Sequence, residues 1–237
     1  MRINKYLATC GVASRRNSEQ YVLEGRVKVN GKVVTLLATE INVDNDTVLL
    51  DGKRVSLPQN RVYLMMNKPK GFICTLSDEK ERKTVIDLLP EIYKNKRVFP
   101  IGRLDYDSEG LLLLTTDGDL ANRLMRPDSE IPKTYICKVE GKVTEPELAK
   151  LRKGVMLDGV MTKKAKLKML EFNEEISRIE VTISEGKNRQ IRRMFESINK
   201  QVVFLKRVAV GNLKLGGLYR GETRELKPEE IEYLTKL

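Results

Sequence analysis

Residues 4–34 read NKYLATCGVASRRNSEQYVLEGRVKVNGKVV. Ile3, Tyr6, Leu7 and Cys10 recur at helical spacing, and Gly11 follows as a stop. Ser14 is placed to cap a second short helix running to about Glu24, with Gly25 ending it. Arg26–Val29 then alternates, Asn30-Gly31 supplies a two-residue turn, and Lys32–Val34 returns. That combination is a strong hairpin signal. Val48–Leu50, Asp51-Gly52 and Lys53–Val55 repeat the device. The order helix, helix, short strands sets the beginning of the chain apart from its remainder.

Within this stretch Arg15 and Arg16 occupy the first turn of the second helix. The helix dipole is positive there, and each cation costs ~0.3–1 kcal/mol. A phosphate bound at the same helix end removes that cost, because the free N–H groups also face it. Residues 1–60 hold nine basic and six acidic side chains. The case for an anion therefore rests on placement rather than on total charge.

Helix, Gly, Ser-Arg-Arg, helix, Gly-Arg-Val and Val-Asn-Gly follow one another in the order of the S4 RNA-binding domain, which this segment resembles. The resemblance implies binding to structured RNA through the paired helices. Arg15, Arg16, Arg26 and Lys28 are the candidate contacts. An S4 domain names a class of ligand and not a reaction.

Val55–Asn60 contains Pro58, which disfavours helix and extends the residue before it. It reads as a linker, dividing the chain into residues 1–60 and 61–237. Strands are expected at Val62–Met66, Thr134–Val139, Ala165–Leu170, Ile179–Ile183 and Gln201–Val210. Thr144 and Glu147 can form a capping box ahead of Leu148 and Leu151, with Gly154 closing the helix. The tail from Pro228 puts Ile231 and Leu234 on one helical face. Strands and helices mix without a regular βαβ rhythm, so the class is α+β.

The composition narrows the chemistry. The 237 residues carry 44 Lys plus Arg against 33 Asp plus Glu, a net charge of +11, and no histidine. Ser-His-Asp and Cys-His sites, HExxH proteases and histidine-ligated zinc deaminases are thereby excluded. The positive excess favours a polyanionic partner. Cys10, Cys74 and Cys137 fit neither a redox pair nor a zinc knuckle, and their odd number argues against a disulfide framework. The longest apolar run, Val62–Met66, is far short of the ~20 residues of a membrane span. No secretory signal opens the chain, so the expected compartment is the cytoplasm.

Three segments of the second region could carry chemistry. In Ile101–Gly110, acids fall at Asp105, Asp107 and Glu109. An extended chain would point all three to one side. They could form a carboxylate metal site. Alternatively, one ionised Asp could act at a sugar carbon, with Arg103 helping to hold it ionised. In Ser184–Phe195 a helix from Asn188 onward would bury Ile191, Met194, Phe195 and Ile198. Arg189 and Arg193 would then face outward, suited to phosphate, and Arg192 would lie at the flank, placed to reach a half-buried carboxylate. Between Gly186 and Arg207 stand seven basic residues and one acid. In Lys133-Thr134-Tyr135, the tyrosine begins a strand, where it could be a core residue, a base or a stacking platform.

RVFPIGRLDYDSEGLLLLTTDGDLANRLMRP (97–127) resembles the central motif of the RsuA-type ribosomal RNA pseudouridine synthases. NKPKG, KTY, EGKNRQIRRMF and LKRVAVGNLKLGGLYRGETREL match the family's other motifs in order, over nearly the whole chain. The resemblance implies a catalytic domain on a mixed, mostly antiparallel sheet with flanking helices. The implied reaction turns uridine into pseudouridine on a flipped-out nucleotide. Asp105 corresponds to the essential aspartate, whether it stabilises positive character at C1′ or takes a proton from the sugar. Tyr135 corresponds to the tyrosine proposed as base at C5 and stacking partner. Arg103 resembles the residue that fills the vacated position, Ile191 would line the uracil pocket, and Lys133 would contact RNA. Arg192 is the expected partner of Asp105, with Arg189 and then Arg193 as the alternatives. The scheme needs no metal and no organic cofactor, and the expected state is a monomer. LLLLTTDGDLANRLMRP is more similar to RluB-type members, which act on large-subunit rRNA. The other possibilities are the small-subunit RsuA type and a non-catalytic S4-containing assembly factor.

Overall fold

A computed structural model describes residues 1–237. The first unit contains α1 (Ile3–Thr9), α2 (Arg15–Leu23) and the strands β1 (Val27–Val29), β2 (Lys32–Val33), β3 (Val48–Leu50) and β4 (Lys53–Val55). The four strands pair in the order β2-β1-β3-β4, antiparallel throughout. The Ser14 hydroxyl accepts from Asn17 N–H at 3.0 Å and caps α2. Both hairpin turns have two residues at positive φ, Asn30-Gly31 and Asp51-Gly52, as the twist of the strands requires. Ile3, Tyr6, Leu7, Val22, Val27, Ile41 and Val48 form the core of this unit. Leu57 packs on that core, so the expected linker begins as part of the first unit.

The rest of the chain adds β5 (Tyr63–Lys68), α3 (Glu91–Lys94), β6 (Phe99–Ile101), β7 (Glu109–Thr115), α4 (Gly118–Met125), β8 (Lys133–Glu140), α5 (Glu145–Lys153), β9 (Met156–Leu157) and β10 (Val160–Met161). Beyond them come β11 (Lys166–Phe172), β12 (Ile176–Ile183), α6 (Gln190–Glu196), β13 (Val202–Val210), β14 (Leu213–Lys214), β15 (Thr223–Glu225) and α7 (Pro228–Lys236). One nine-stranded sheet runs β11-β12-β8-β13-β7-β5-β15, with β14 on β13 and β6 on β7. Every pairing is antiparallel except β13 with β7. All five expected strands are present, lengthened or trimmed by a few residues.

The run Leu111–Leu114 does not alternate because β7 is covered on both faces. Leu112 and Leu114 join the larger core with Leu148 and Leu151 of α5 and Ile191, Met194 and Phe195 of α6. Leu111 and Leu113 join a second core with Leu120 and Leu124 of α4 and Leu234 of α7. Helices therefore cover both sides of the sheet centre, and the chain crosses from one side to the other beside β7. Lys5 of α1 and Asp119 of α4 form an ion pair at 2.6 Å between the two units. No helix is long and apolar enough to cross a membrane.

Candidate active site

The connection from β6 to β7 is not extended, so its three acids do not share one side. Gly102 has φ +75°, and Ser108 N–H donates to Asp105 C=O at 3.1 Å, closing a tight turn. Asp105 is half-buried, Asp107 follows inside the turn, and Glu109 is already the first residue of β7 and 2 % exposed. Glu109 takes a partner of its own, whereas Asp105 and Asp107 share Arg189. Glu109 pairs with Arg220 at 3.1 Å. Asp107 pairs with Arg189 at 3.1 Å and with Arg192 at 3.2 Å. Asp105 is 4.0 Å from Arg189.

The expected pair between Arg192 and Asp105 is therefore not formed. The helix begins at Gln190, not Asn188, and Arg189 precedes it in the left-handed region at φ +47°. That conformation removes Arg189 from the helical face on which simple periodicity placed it and turns it toward the acids. Arg192 is buried, as its flank position implied. Its guanidinium is tied to Val202 C=O at 2.6 Å and to the Asp107 carbonyl at 3.2 Å. Arg193 pairs with exposed Asp158 at 2.5 Å, on the outer side of α6.

A fully buried lysine fixes the turn from beneath. Lys68, the last residue of β5, donates to the carbonyls of Pro69 and Asp105 at 3.1 Å and of Ser108 at 2.9 Å. Three donors thus meet three acceptors. Burial lowers the Lys68 pKa, while Cys74, Asp105, Asp107 and Glu109 oppose that shift. Gly71 N–H donates to Tyr106 C=O at 2.9 Å, and the Cys74 thiol sits 3.4 Å from both polar backbone atoms of Leu104. The backbone on either side of Asp105 is consequently held at several points.

Above this turn opens a cavity of about 790 Å³. Arg103, Asp105, Lys133, Tyr135, Arg189 and Ile191 all line it, so six of the expected residues converge. Arg192 and Arg193 are not among its lining residues. Tyr135 belongs to the larger core and is 8 % exposed, with its ring held by the sheet. Arg103 is exposed at the cavity's edge. The volume lies within the ~300–1,000 Å³ of small-molecule sites, enough for one extruded nucleotide.

On the first unit, Arg15 and Arg16 are exposed and form no ion pair. Lys28 is exposed on β1. Arg26 differs: it pairs with Asp51 at 2.6 Å and Glu24 at 3.2 Å and stacks on Tyr21. Its pKa is raised, first by the hydrogen bonds to Asp51. Its charge is thus already matched within the protein. Sequence reasoning missed the roles of Lys68, Arg207 and Arg220. All three stand inside motifs quoted above, Lys68 in NKPKG and Arg207 and Arg220 in LKRVAVGNLKLGGLYRGETREL, but those motifs name no partner for any of them.

A pinned turn presenting one aspartate to a cavity lined by a strand tyrosine is joined here to a small helix-and-hairpin unit. The RNA pseudouridylate synthase family model matches residues 62–197 and the S4 domain model residues 1–48. The chain belongs to the RNA pseudouridine synthase family and carries an S4 domain. Over its whole length it is 46% identical to a ribosomal large subunit pseudouridine synthase B of Bacillus subtilis (strain 168), covering 96% of that protein. It is 41% identical to a protein of the same name from Haemophilus influenzae, again along the entire chain, covering 67% of the relative. A solved pseudouridylate synthase structure superposes with a TM-score of 0.72 at 31% identity, covering 99% of both chains.

Proposed function

We propose that this enzyme isomerises a uridine of large-subunit rRNA, with Asp105 acting at the sugar and Tyr135 at the base. The carrying observation is that Asp105, Tyr135, Ile191 and Arg189 line one cavity around a backbone turn pinned by Lys68. The large-subunit assignment follows the names of the relatives from B. subtilis and H. influenzae. Both units then bind one polyanion, and the protein works as a cytoplasmic monomer.

In the reaction the N1–C1′ bond breaks and a C5–C1′ bond forms. The C5 proton leaves and N1 gains a proton. The target nucleotide must first leave its stack, at a cost of a few kcal/mol. Arg103, exposed at the cavity's edge, is placed to occupy the gap this leaves in the RNA. Ile191 and the Tyr135 ring form apolar walls for the uracil. Asp105 is half-buried on the cavity floor, with the Arg189 guanidinium 4.0 Å from its carboxylate. Arg192 acts one step back: it holds Asp107, and through Asp107 the turn. No step calls on a metal or an organic cofactor.

The test is tritium release from 5-tritiated uridine in rRNA transcripts, followed by mapping of the modified position. Asp105→Asn should lower single-turnover release by roughly 10³-fold or more, with RNA affinity retained. Full activity in that variant would overturn the catalytic role of Asp105. Modification of small-subunit RNA alone would overturn the substrate assignment. Absence of release from both RNAs would favour a non-catalytic assembly factor.

A further inference from the structure

Seven cationic side chains and two carboxylates line the cavity. Most of the cations are already matched. Arg126 pairs with Asp128, Lys163 with Glu130, Lys187 with Glu185 and Arg189 with Asp107. Arg103 is exposed and can be neutralised by solvent and counterions. Two remain, and they lie deep on the cavity's sheet-side wall: Lys133 of β8 and Arg207 of β13.

Their placement follows from the sheet. Arg207 stands opposite Tyr135 in the antiparallel pairing and opposite Gly110 in the parallel one. An irregularity between Arg207 and Ala209 disturbs the ladder at this point. Such bulges re-aim side chains beside active sites. Close approach of β7 makes the same demand: a Cβ at Gly110 would lie 2.1 Å from the Arg207 carbonyl oxygen. Arg207 is 4 % exposed. Its Nε donates to Leu111 C=O at 2.6 Å, and its two terminal amino groups have no acceptor in the protein. They are not sealed off either, because Arg207 lines the cavity. Lys133 is half-buried and donates only to Ile131 C=O at 3.1 Å. The two cations feel each other: burial lowers the Lys133 pKa, and the Arg207 charge lowers it further.

Two like charges withdrawn from water, without a carboxylate between them, are unfavourable unless an anion completes the site. A structural reason for Arg207 alone would be met by its one bond to Leu111 and would not call for a second cation. We infer that Arg207 and Lys133 form a phosphodiester-binding subsite that grips the RNA backbone next to the target uridine. The arginine fork and the lysine ammonium suit phosphate oxygens. The subsite rests on the pseudouridine synthase reading of the same cavity. It makes the cavity select a nucleotide within a chain, because the phosphate anchor sets how far the ribose advances toward Asp105.

The experiment uses the full-length protein and a synthetic RNA oligonucleotide spanning the mapped uridine. Its two flanking phosphodiesters are replaced one at a time by neutral methylphosphonates. Binding and single-turnover tritium release are measured for the wild type, Arg207→Gln and Lys133→Gln. One of the two replacements should weaken wild-type binding or release at least about tenfold, the loss of a charge-assisted hydrogen bond. The same replacement should add less than about twofold in either variant. Lys133→Gln serves as the second variant because its ammonium holds only one backbone carbonyl, and an unchanged Tm will show that it folds. Losses that multiply in full in both variants would overturn the subsite. So would equal tolerance of both replacements by the wild type. Modification of the mapped uridine at the wild-type rate, with both replacements equally tolerated, would overturn the subsite alone and leave the isomerase reading standing.

Discussion

Arg15 and Arg16 carry the same charges as Lys133 and Arg207, in opposite surroundings. The first pair stands exposed at the start of a helix, with no protein partner. The second pair lies within a cavity wall, one member 4 % exposed and fixed to a neighbouring strand. Exposed cations attract any phosphate and are screened by salt. Buried ones act at a single place and only on a phosphate that reaches them. On the proposed reading the two regions divide recognition: the S4 unit holds the RNA, and the cavity decides which nucleotide is presented to Asp105.

If that division is right, the largest effects outside Asp105 itself belong to the groups that hold the cavity's floor. Lys68→Met removes three buried hydrogen bonds and leaves the carbonyls of Pro69, Asp105 and Ser108 without their donor. Relief of the buried charge offsets part of this, and a net loss of about 3 kcal/mol is expected. For a chain of this size that lowers Tm by roughly 6–12 °C, with turnover falling as the turn loosens. A Tm within about 2 °C of wild type, with normal turnover, would mean that the turn is held by something else.

Gly110→Ala tests the approach of β7 to β13. The added methyl meets backbone rather than a movable side chain, and φ there is +108°. A loss of roughly 2–4 kcal/mol is expected, and turnover should fall with it as Arg207 is displaced. Thermal unfolding and single-turnover release read the two consequences separately. If stability dropped while release at saturating RNA stayed normal, the position of Arg207 would not matter to chemistry.

A smaller effect, and of another kind, is expected on the S4 unit. Arg15→Glu with Arg16→Glu should reduce the slope of log affinity against log salt by about 2, one unit for each lost phosphate contact. Release at saturating RNA should be unchanged. An unchanged slope would remove these arginines from the RNA interface, and a fall in the saturated rate would break the division between holding and presenting.

Much of this was legible in the chain itself. The two short helices, both Asn-Gly and Asp-Gly hairpins and the alternating strands follow from local rules, and local rules decide short elements. Asp105, Tyr135 and Ile191 were legible through ordered motifs. The geometry of the acids was not. Alternation assumes an extended chain, whereas Ser108 N–H folds back on Asp105, leaving Asp105 and Asp107 on Arg189 and sending Glu109 to Arg220. Nor could periodicity place Arg189, because a residue at φ +47° before a helix does not obey the helix's angular spacing. Lys68 and Arg207 escaped for a third reason. Their partners are backbone carbonyls from other parts of the chain, which no side-chain pattern records.

The finest test lies within five residues at the start of α6. Arg189, Arg192 and Arg193 look interchangeable in the string Arg189-Gln190-Ile191-Arg192-Arg193, yet they occupy three environments. Arg192 is buried and binds Val202 and Asp107, so Arg192→Gln should destabilise the fold and slow release together, since the Val202 carbonyl and the turn at Asp107 lose their donor. Arg189 faces the acids from the cavity, so Arg189→Gln should slow release with little change in Tm. Arg193 is matched by Asp158 on the outside of α6 and is absent from the cavity lining. Exposed pairs of this kind contribute little, and a cation already matched by a carboxylate displaces few counterions from RNA. Arg193→Gln should leave Tm, saturated release and salt slope at their wild-type values. A drop in the salt slope would place the outer face of α6 against RNA and extend the holding surface from the S4 unit onto the catalytic one.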